Sequence, residues 1–230
     1  MNSTQHVISF PKNVNEIISE TYNIYNSIND DNKTYANCLI MVLKKYHLWP
    51  NIKVKKFKNS SDIVLLHNNY KMSEIYEYKE LYEQCRSIVL DFTLSFNDNV
   101  VVTYANSIPT RVEANTYMTN IYSDHDKCYE AYDGTMITVY CHNGEWYFGT
   151  SSCPDANSSK FSHPNKTHGN MFDEILYKYY GKHLTIEDME LQPNEISIIL
   201  RNKFVASLNS EMAYEFIIIH HENVHIINYT

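Results

Sequence analysis

Residues 129–135 of this 230-residue chain read Tyr-Glu-Ala-Tyr-Asp-Gly-Thr, and residues 221–225 read His-Glu-Asn-Val-His. Both strings have residue types and spacings that bear on chemistry. The second has the HExxH spacing of zinc peptidases, which need both histidines on one helical face with the glutamate as general base. It follows Phe216-Ile217-Ile218-Ile219 and precedes Ile226-Ile227, runs that favour strand over helix, and only five residues remain after His225 for a third ligand. No metal site is therefore expected; on a strand the two histidines share a face and would hold a metal only adventitiously. The first string opens a β-hairpin. Met136, Ile137, Val139 and Tyr140 read as a strand, Asn143-Gly144 as its turn, and Trp146, Tyr147 and Phe148 as the return.

Tyr129–Thr135 also resembles the nucleotide-attachment motif KxDG of ATP-dependent RNA and DNA ligases and mRNA capping enzymes, with Ala131 where the motif has lysine. Three further segments stand in the same order as in the bacteriophage RNA ligase 1 type of that family. Gln84-Cys85-Arg86-Ser87-Ile88-Val89-Leu90-Asp91-Phe92 resembles its "ARGIVFD" strand. Gly144-Glu145-Trp146-Tyr147-Phe148-Gly149-Thr150-Ser151 resembles its return strand. Tyr214-Glu215-Phe216-Ile217, followed by Glu222 to Ile227, resembles its "FEFVSPxNRIVI" region. The resemblance covers roughly residues 80–230.

That resemblance implies an α+β nucleotidyltransferase (adenylation) domain with mixed or antiparallel sheets over residues 51–230, preceded by a helical N-terminal segment at 1–50. It implies a parent activity that joins RNA 5′-phosphate and 3′-hydroxyl ends with ATP and Mg²⁺, through a lysyl-AMP. A lysine amine does this work only when it is largely unprotonated and in line with the α-phosphate. Arg86 and Glu215 should then contact the ribose and phosphates, the backbone around Glu130 the base, and Asp133-Gly134 should shape the pocket. Departures from the pattern matter equally. Ala131 has no amine, Ser151-Ser152 stand where relatives have a lysine or arginine, and Thr110-Arg111-Val112-Glu113-Ala114-Asn115 replaces the aromatic "KFFN" element, leaving Arg111 as the phosphate contact there. Thr230 also precedes the family's EGxV motif and its phosphate-binding lysine pair. The chain as written is expected to be unable to adenylylate itself. Two histories fit Ala131: a lysine-to-alanine substitution made to trap a complex, or natural decay of a ligase domain. The short C-terminus and Ser151 are independent losses, which favours decay. Two alternatives stay open: a non-catalytic nucleotide-, RNA- or protein-binding assembly module, and a capping-type guanylyltransferase. The arginine-bearing strand and the tryptophan hairpin suit the RNA ligases better than the latter.

The elements that must position these groups follow from periodicity. Ile17, Ile18, Tyr22, Tyr25 and Ile28 predict a helix over 14–29, and Tyr35, Cys38, Leu39, Val42, Leu43 and Tyr46 a second over 33–46. Strands are predicted at 52–57, 62–67, 88–92, 100–104, 136–140, 145–150, 213–219 and 224–229. A helix at 170–180 should bury Phe172, Ile175, Leu176 and Tyr179 and stop at Gly181, and a short capped helix should follow Thr185. Ile196–Leu200 fits helix or strand equally. Lys53, Lys55, Lys56 and Lys58 form the densest positive cluster, with Lys53 and Lys55 on one strand face. They read as lysines guarding a solvated edge, with a local basic groove as the other reading. His163 and His168 read as members of a solvated loop, and Tyr177, Tyr179 and Tyr180 as core or rim residues before base-stacking ones.

Composition narrows the classes. At 43% hydrophobic residues the chain buries a proper core, and a net charge of −8 argues against indiscriminate coating of nucleic acid. No 18-residue apolar run suggests a membrane span, and the polar N-terminus suggests no secretion signal. Five widely spaced cysteines without a CxxC pair suggest neither a disulfide framework nor a zinc knuckle. A reducing, intracellular, cytoplasmic setting is expected, with RNA ends as partners by resemblance and a protein partner as the alternative.

Overall fold

A computed structural model describes residues 11–68, 79–96, 99–105, 134–160, 166–219 and 226–229, the last segment by its backbone. Helix α1 (Val14–Ser27) starts at Asn13, whose side chain accepts the Glu16 N–H at 3.1 Å, satisfying one of the donors a helix start leaves open. Val14, Ile17, Ile18 and Tyr22 are buried along one stripe of it. Thr34 caps α2 (Tyr35–Lys45) in the same way, and Ala36, Cys38, Leu39, Val42 and Leu43 are buried. Glu20 of α1 accepts hydrogen bonds from Lys45 and Tyr46, tying the two helices together.

The helices cover one face of a four-stranded sheet in the order β1-β2-β3-β4. Its strands are β1 (Ile52–Phe57), β2 (Ser60–Asn68), β3 (Ile88–Asp91) and β4 (Val101–Thr103), with the short helix α3 (Lys79–Gln84) between β2 and β3. Val64 and Leu66 of β2, Ile88 and Leu90 of β3 and Leu81 of α3 join Leu39 and Leu43 of α2 in one core that runs from Val14 to Val100. The core crosses residue 50, so the N-terminal helices and the first sheet share it.

The second sheet has the order β6-β5-β7-β8, built from β5 (Thr135–His142), β6 (Glu145–Thr150), β7 (Ala213–Ile218) and β8 (Ile226–Tyr229). Helices α4 (His168–Tyr180), α5 (Ile186–Met189) and α6 (Pro193–Val205) accompany it. Ile137 and Val139 of β5 and Phe216 and Ile218 of β7 pack with Phe172, Ile175 and Leu176 of α4 and Leu200 and Phe204 of α6. Phe204 meets Phe172 and Phe216 edge-on, with ring centroids 5.6 and 5.5 Å away, a favourable aromatic geometry. All described strand pairs are antiparallel. The fold is therefore α+β, layered as helices, sheet, sheet, helices.

Several sequence expectations are corrected. Tyr179 does not join the buried stripe of α4; it is 48% exposed and Tyr177 is 52% exposed, while Tyr180 turns to Phe204 at 6.3 Å. The helix ends where Gly181 was expected to end it, but at φ −58° and as the start of a 3-10 turn over Gly181–His183, so no left-handed conformation is involved. Ile196–Leu200 is helical within α6, because Pro193 stands in its first turn and Glu195 accepts the Gln192 N–H at 2.9 Å. His168 is not in a solvated loop: it opens α4, is buried, and its Nδ1 lies 2.8 Å from the Ser159 hydroxyl. No helix among the described residues is long and apolar enough to cross a membrane. Cys38, Cys85, Cys141 and Cys153 are free thiols, and burial pushes the Cys85 thiol up to about 12.

Candidate functional site

Side chains alternate across a strand, so each sheet that buries one face against helices turns the other elsewhere. Here the second faces meet. In β2, Val64 and Leu66 point to the helices, which leaves Ile63, Leu65 and His67 on the inner side. Cross-strand partners share a face, so Lys53 (opposite His67) and Lys55 (opposite Leu65) belong to the inner face of β1. Val89 and Asp91 of β3 do likewise, opposite Leu65 and Ile63. From the second sheet, Thr138, Tyr140 and His142 of β5 alternate with the buried Ile137 and Val139, and Glu215 of β7 stands opposite Thr138.

Leu65, Val89 and Tyr140 form the small cluster that joins the sheets, with Phe57 and Tyr147 beside it. A polar clamp sits next to it. His142 Nε2 lies 2.6 Å from Asp91 Oδ2, and the Asp91 side chain is completely buried. The same carboxylate accepts the Thr93 N–H at 2.8 Å and its hydroxyl at 2.6 Å. Burial pushes the Asp91 carboxyl up, but the Thr93 and His142 hydrogen bonds prevail and hold it below the ordinary carboxylate value.

The rest of the inner space is less complete. His67 Nδ1, Thr103 Oγ1, Thr138 Oγ1 and the Tyr140 hydroxyl are buried with no hydrogen-bond partner. All four belong to inner faces: Thr103 stands opposite Val89 on β4, and the other three are placed above. A buried polar atom left unpaired costs about 1–3 kcal/mol, and in a native fold each calls for an explanation such as a bound water, an ion or a ligand. Burial pushes the Tyr140 phenol well up, so it stays un-ionised. Burial also lowers the affinity of His67 for a proton, Lys53 lowers it further, and Lys55 and Arg86 add to this against an opposing contribution from the Ser151 main chain.

Of the residues expected from the sequence, Arg86, Gly134, Ser151, Ser152 and Glu215 are among those described. Arg86 precedes β3, near enough to act on His67. Gly134 leads into β5, where a Cβ would lie 2.2 Å from the Ile218 carbonyl oxygen, so no other residue fits that backbone approach. Ser151 and Ser152 follow β6 at the same end of the second sheet as Gly134, since Ile137 of β5 pairs with Thr150. Glu215 is half-buried in the middle of β7. Arg111, Glu130, Ala131 and Asp133 lie outside the described residues, as do His163, Cys128 and the His221–His225 string. At the other end of the hairpin, Asn143 and Gly144 adopt φ +51° and +80°, the paired left-handed geometry of a two-residue hairpin turn.

Sequence reasoning missed His67, Thr103 and Thr138, because isolated polar residues in apolar strands carry no signal until pairing shows which face they share. Among the described strands β1 is the outermost of its sheet, as the edge reading of its lysines expects, and Lys53 and Lys55 share the face turned to the second sheet.

A separate cavity of about 550 Å³ lies between the tips of the two hairpins, lined by Phe57, Lys58, Ser60, Trp146, Tyr147 and Arg201 among others. Its arginine is already committed: Arg201 donates to Asp173 at 2.6 and 2.9 Å and stacks on Phe148 at 4.9 Å. None of Arg86, Gly134 and Glu215 lines it. Among the described residues no three His, Cys, Asp or Glu side chains gather to hold a metal ion. In comparisons with known proteins, no family model, no curated protein and no solved structure matches this chain.

Proposed function

We propose that this chain is an RNA ligase-like adenylyltransferase domain that binds ATP between its two sheets and does not adenylylate itself. The observation that carries this reading is the set of buried, unpartnered polar atoms on the facing sheet surfaces, beside the strand that the KxDG-like string opens. A nucleotide presents the donors and acceptors that such groups lack, and the hydroxyls of Thr138 and Tyr140 and the ring of His67 suit its sugar, base and phosphate atoms. In this reading Arg86, Arg111 and Glu215 contact ribose and phosphates, the backbone around Glu130 meets the base, and Asp133-Gly134 shape the entrance. A magnesium ion held mainly by phosphates needs only one or two carboxylates, and Glu215 would be one; the ion would neutralise phosphate charge. Ala131 offers a methyl group with no lone pair where the motif has its amine. RNA bearing a 5′-phosphate is the substrate class that the parent activity implies.

The test is incubation with ATP labelled at the α-phosphate, using the chain as given and an Ala131→Lys version. Reversible binding with no covalent label is expected for the chain as given, and covalent label on it would overturn the reading. A GTP comparison separates it from a capping-type guanylyltransferase, which would prefer GTP. One observation favours a second reading, a non-catalytic assembly module. Ile186 (81% exposed), Met189 (56%) and Ile198 (58%) present apolar surface on α5 and α6, and such surface serves protein contacts. Protein or RNA binding without affinity for any nucleotide would select that reading.

A further inference from the structure

We infer that Lys53, Lys55, Arg86 and His67 form an anion site at the open edge of the inter-sheet space, and that it takes a phosphate group. The inference rests on the ligase-like reading for what else the ligand carries, but the site stands on its own geometry. Lys53 is the cross-strand partner of His67, and Lys55 that of Leu65 two residues away, so both ammonium groups rise from the face that carries the imidazole. Arg86, in the turn ahead of β3, adds its charge to the field at the same ring, and the Ser151 main chain, beyond β6, acts on it as well. Among the described residues, the charged side chains acting on the ring are all cations. Neither Lys53 nor Lys55 pairs with an acidic side chain among the described residues, although the chain as a whole carries a net charge of −8. His67 Nδ1 is buried and has no partner.

Lys53 and Lys55 repel one another beside a half-buried ring, and no acidic side chain among the described residues offsets their charge. An oxyanion seated among them supplies both the missing counter-charge and the missing hydrogen-bond partner. The arrangement also accounts for Ser151. Where the resembling ligases have a cation against the phosphates on the return strand, this chain has a serine, and its positive charge comes from the opposite sheet. Among the described strands β1 is the outermost of its sheet, and Lys53 and Lys55 are exposed, so a phosphate can enter from solvent while a nucleoside lies deeper, near Thr138 and Glu215.

The test is calorimetric titration of the whole chain with inorganic pyrophosphate, adenosine and ATP. Lys53 and Lys55 are exposed, so the double variant K53E/K55E keeps the fold. Reversing both charges should weaken pyrophosphate and ATP by about tenfold or more and leave adenosine unchanged; unchanged pyrophosphate affinity would overturn the site. Pyrophosphate binding should strengthen from about pH 8 to about pH 6 more in the chain as given than in His67→Asn, because an anion favours the protonated ring. The ligand's own protonation is common to both chains and cancels, so equal pH slopes would remove His67 from the site. A 5′-phosphorylated oligoribonucleotide and its 5′-hydroxyl twin identify the source of the phosphate: loss of their difference in K53E/K55E assigns the site to an RNA end, and loss confined to ATP assigns it to the nucleotide tail. Pyrophosphate binding without adenosine binding would leave the site standing and sink the nucleotide reading.

Discussion

The outer and inner faces of the two sheets are made from the same strands and follow different rules. Outward, Val64, Leu66, Leu90, Ile137, Val139 and Phe216 are buried among helix side chains. Inward, a small apolar cluster and the Asp91–His142 clamp hold the sheets together, and the neighbouring His67, Thr103, Thr138 and Tyr140 each keep a buried polar atom unpaired. Burying a large apolar side chain contributes roughly 1.5–3 kcal/mol, whereas an unpaired buried hydroxyl works against folding. The outer faces hold the fold; under the proposed function the inner faces give up stability to keep polar groups available for a ligand.

The comparison is broken most directly by changes on each side of a sheet. Phe172→Ala, at the centre of the outer core of the second sheet, should cost about 3–5 kcal/mol in urea unfolding. ATP affinity should persist wherever that variant is folded. Asp91→Asn should cost about 1–3 kcal/mol by removing the charged acceptor shared by His142 and Thr93, and it should do so only above acid pH. The sign follows from the lowered Asp91 carboxyl. Its stabilisation is complete above the ordinary carboxylate value of about 4 and is lost as the pH falls through the lower folded value. The variant and the chain as given should therefore converge in stability in strong acid, as read by circular dichroism at equal denaturant. Thr138→Val makes the smallest change in stability and reverses its sign. Replacing an unpaired hydroxyl by a methyl should leave stability equal or raise it by about 1 kcal/mol while weakening ATP binding. A destabilised Thr138→Val with normal ATP affinity would make the inner face ordinary packing.

Much of the scaffold was legible in the chain. The two N-terminal helices, the Asn143-Gly144 hairpin and the α4 stripe follow from spacing and turn chemistry, because each is decided by residues within a few positions of one another. The α4 stripe is narrower than the spacing implies, since Tyr180 and not Tyr179 faces Phe204. Ile196–Leu200 stayed undecided because its apolar run suits either period; the helix is settled by Pro193 and Glu195 a few residues earlier. The candidate site was legible only in outline. Arg86, Gly134 and Glu215 came from motif resemblance, but the partnership of Lys53 with His67 arises from strand register, and the meeting of Asp91 with His142 spans two sheets. No local pattern encodes either contact. The same holds for Thr103 and Thr138, single polar residues in apolar strands whose common face appears only once the sheets are stacked.

The central claim is that the space between the sheets is where a ligand binds. Amide chemical-shift mapping of the chain during titration with ATP tests it most directly. Shifts should concentrate at His67, Thr138, Ser151 and Glu215 and spare the outer-face residues of α4 and α6. Shifts confined to the hairpin tips around Asn59 and Asn143, or none at saturating ATP, would contradict it.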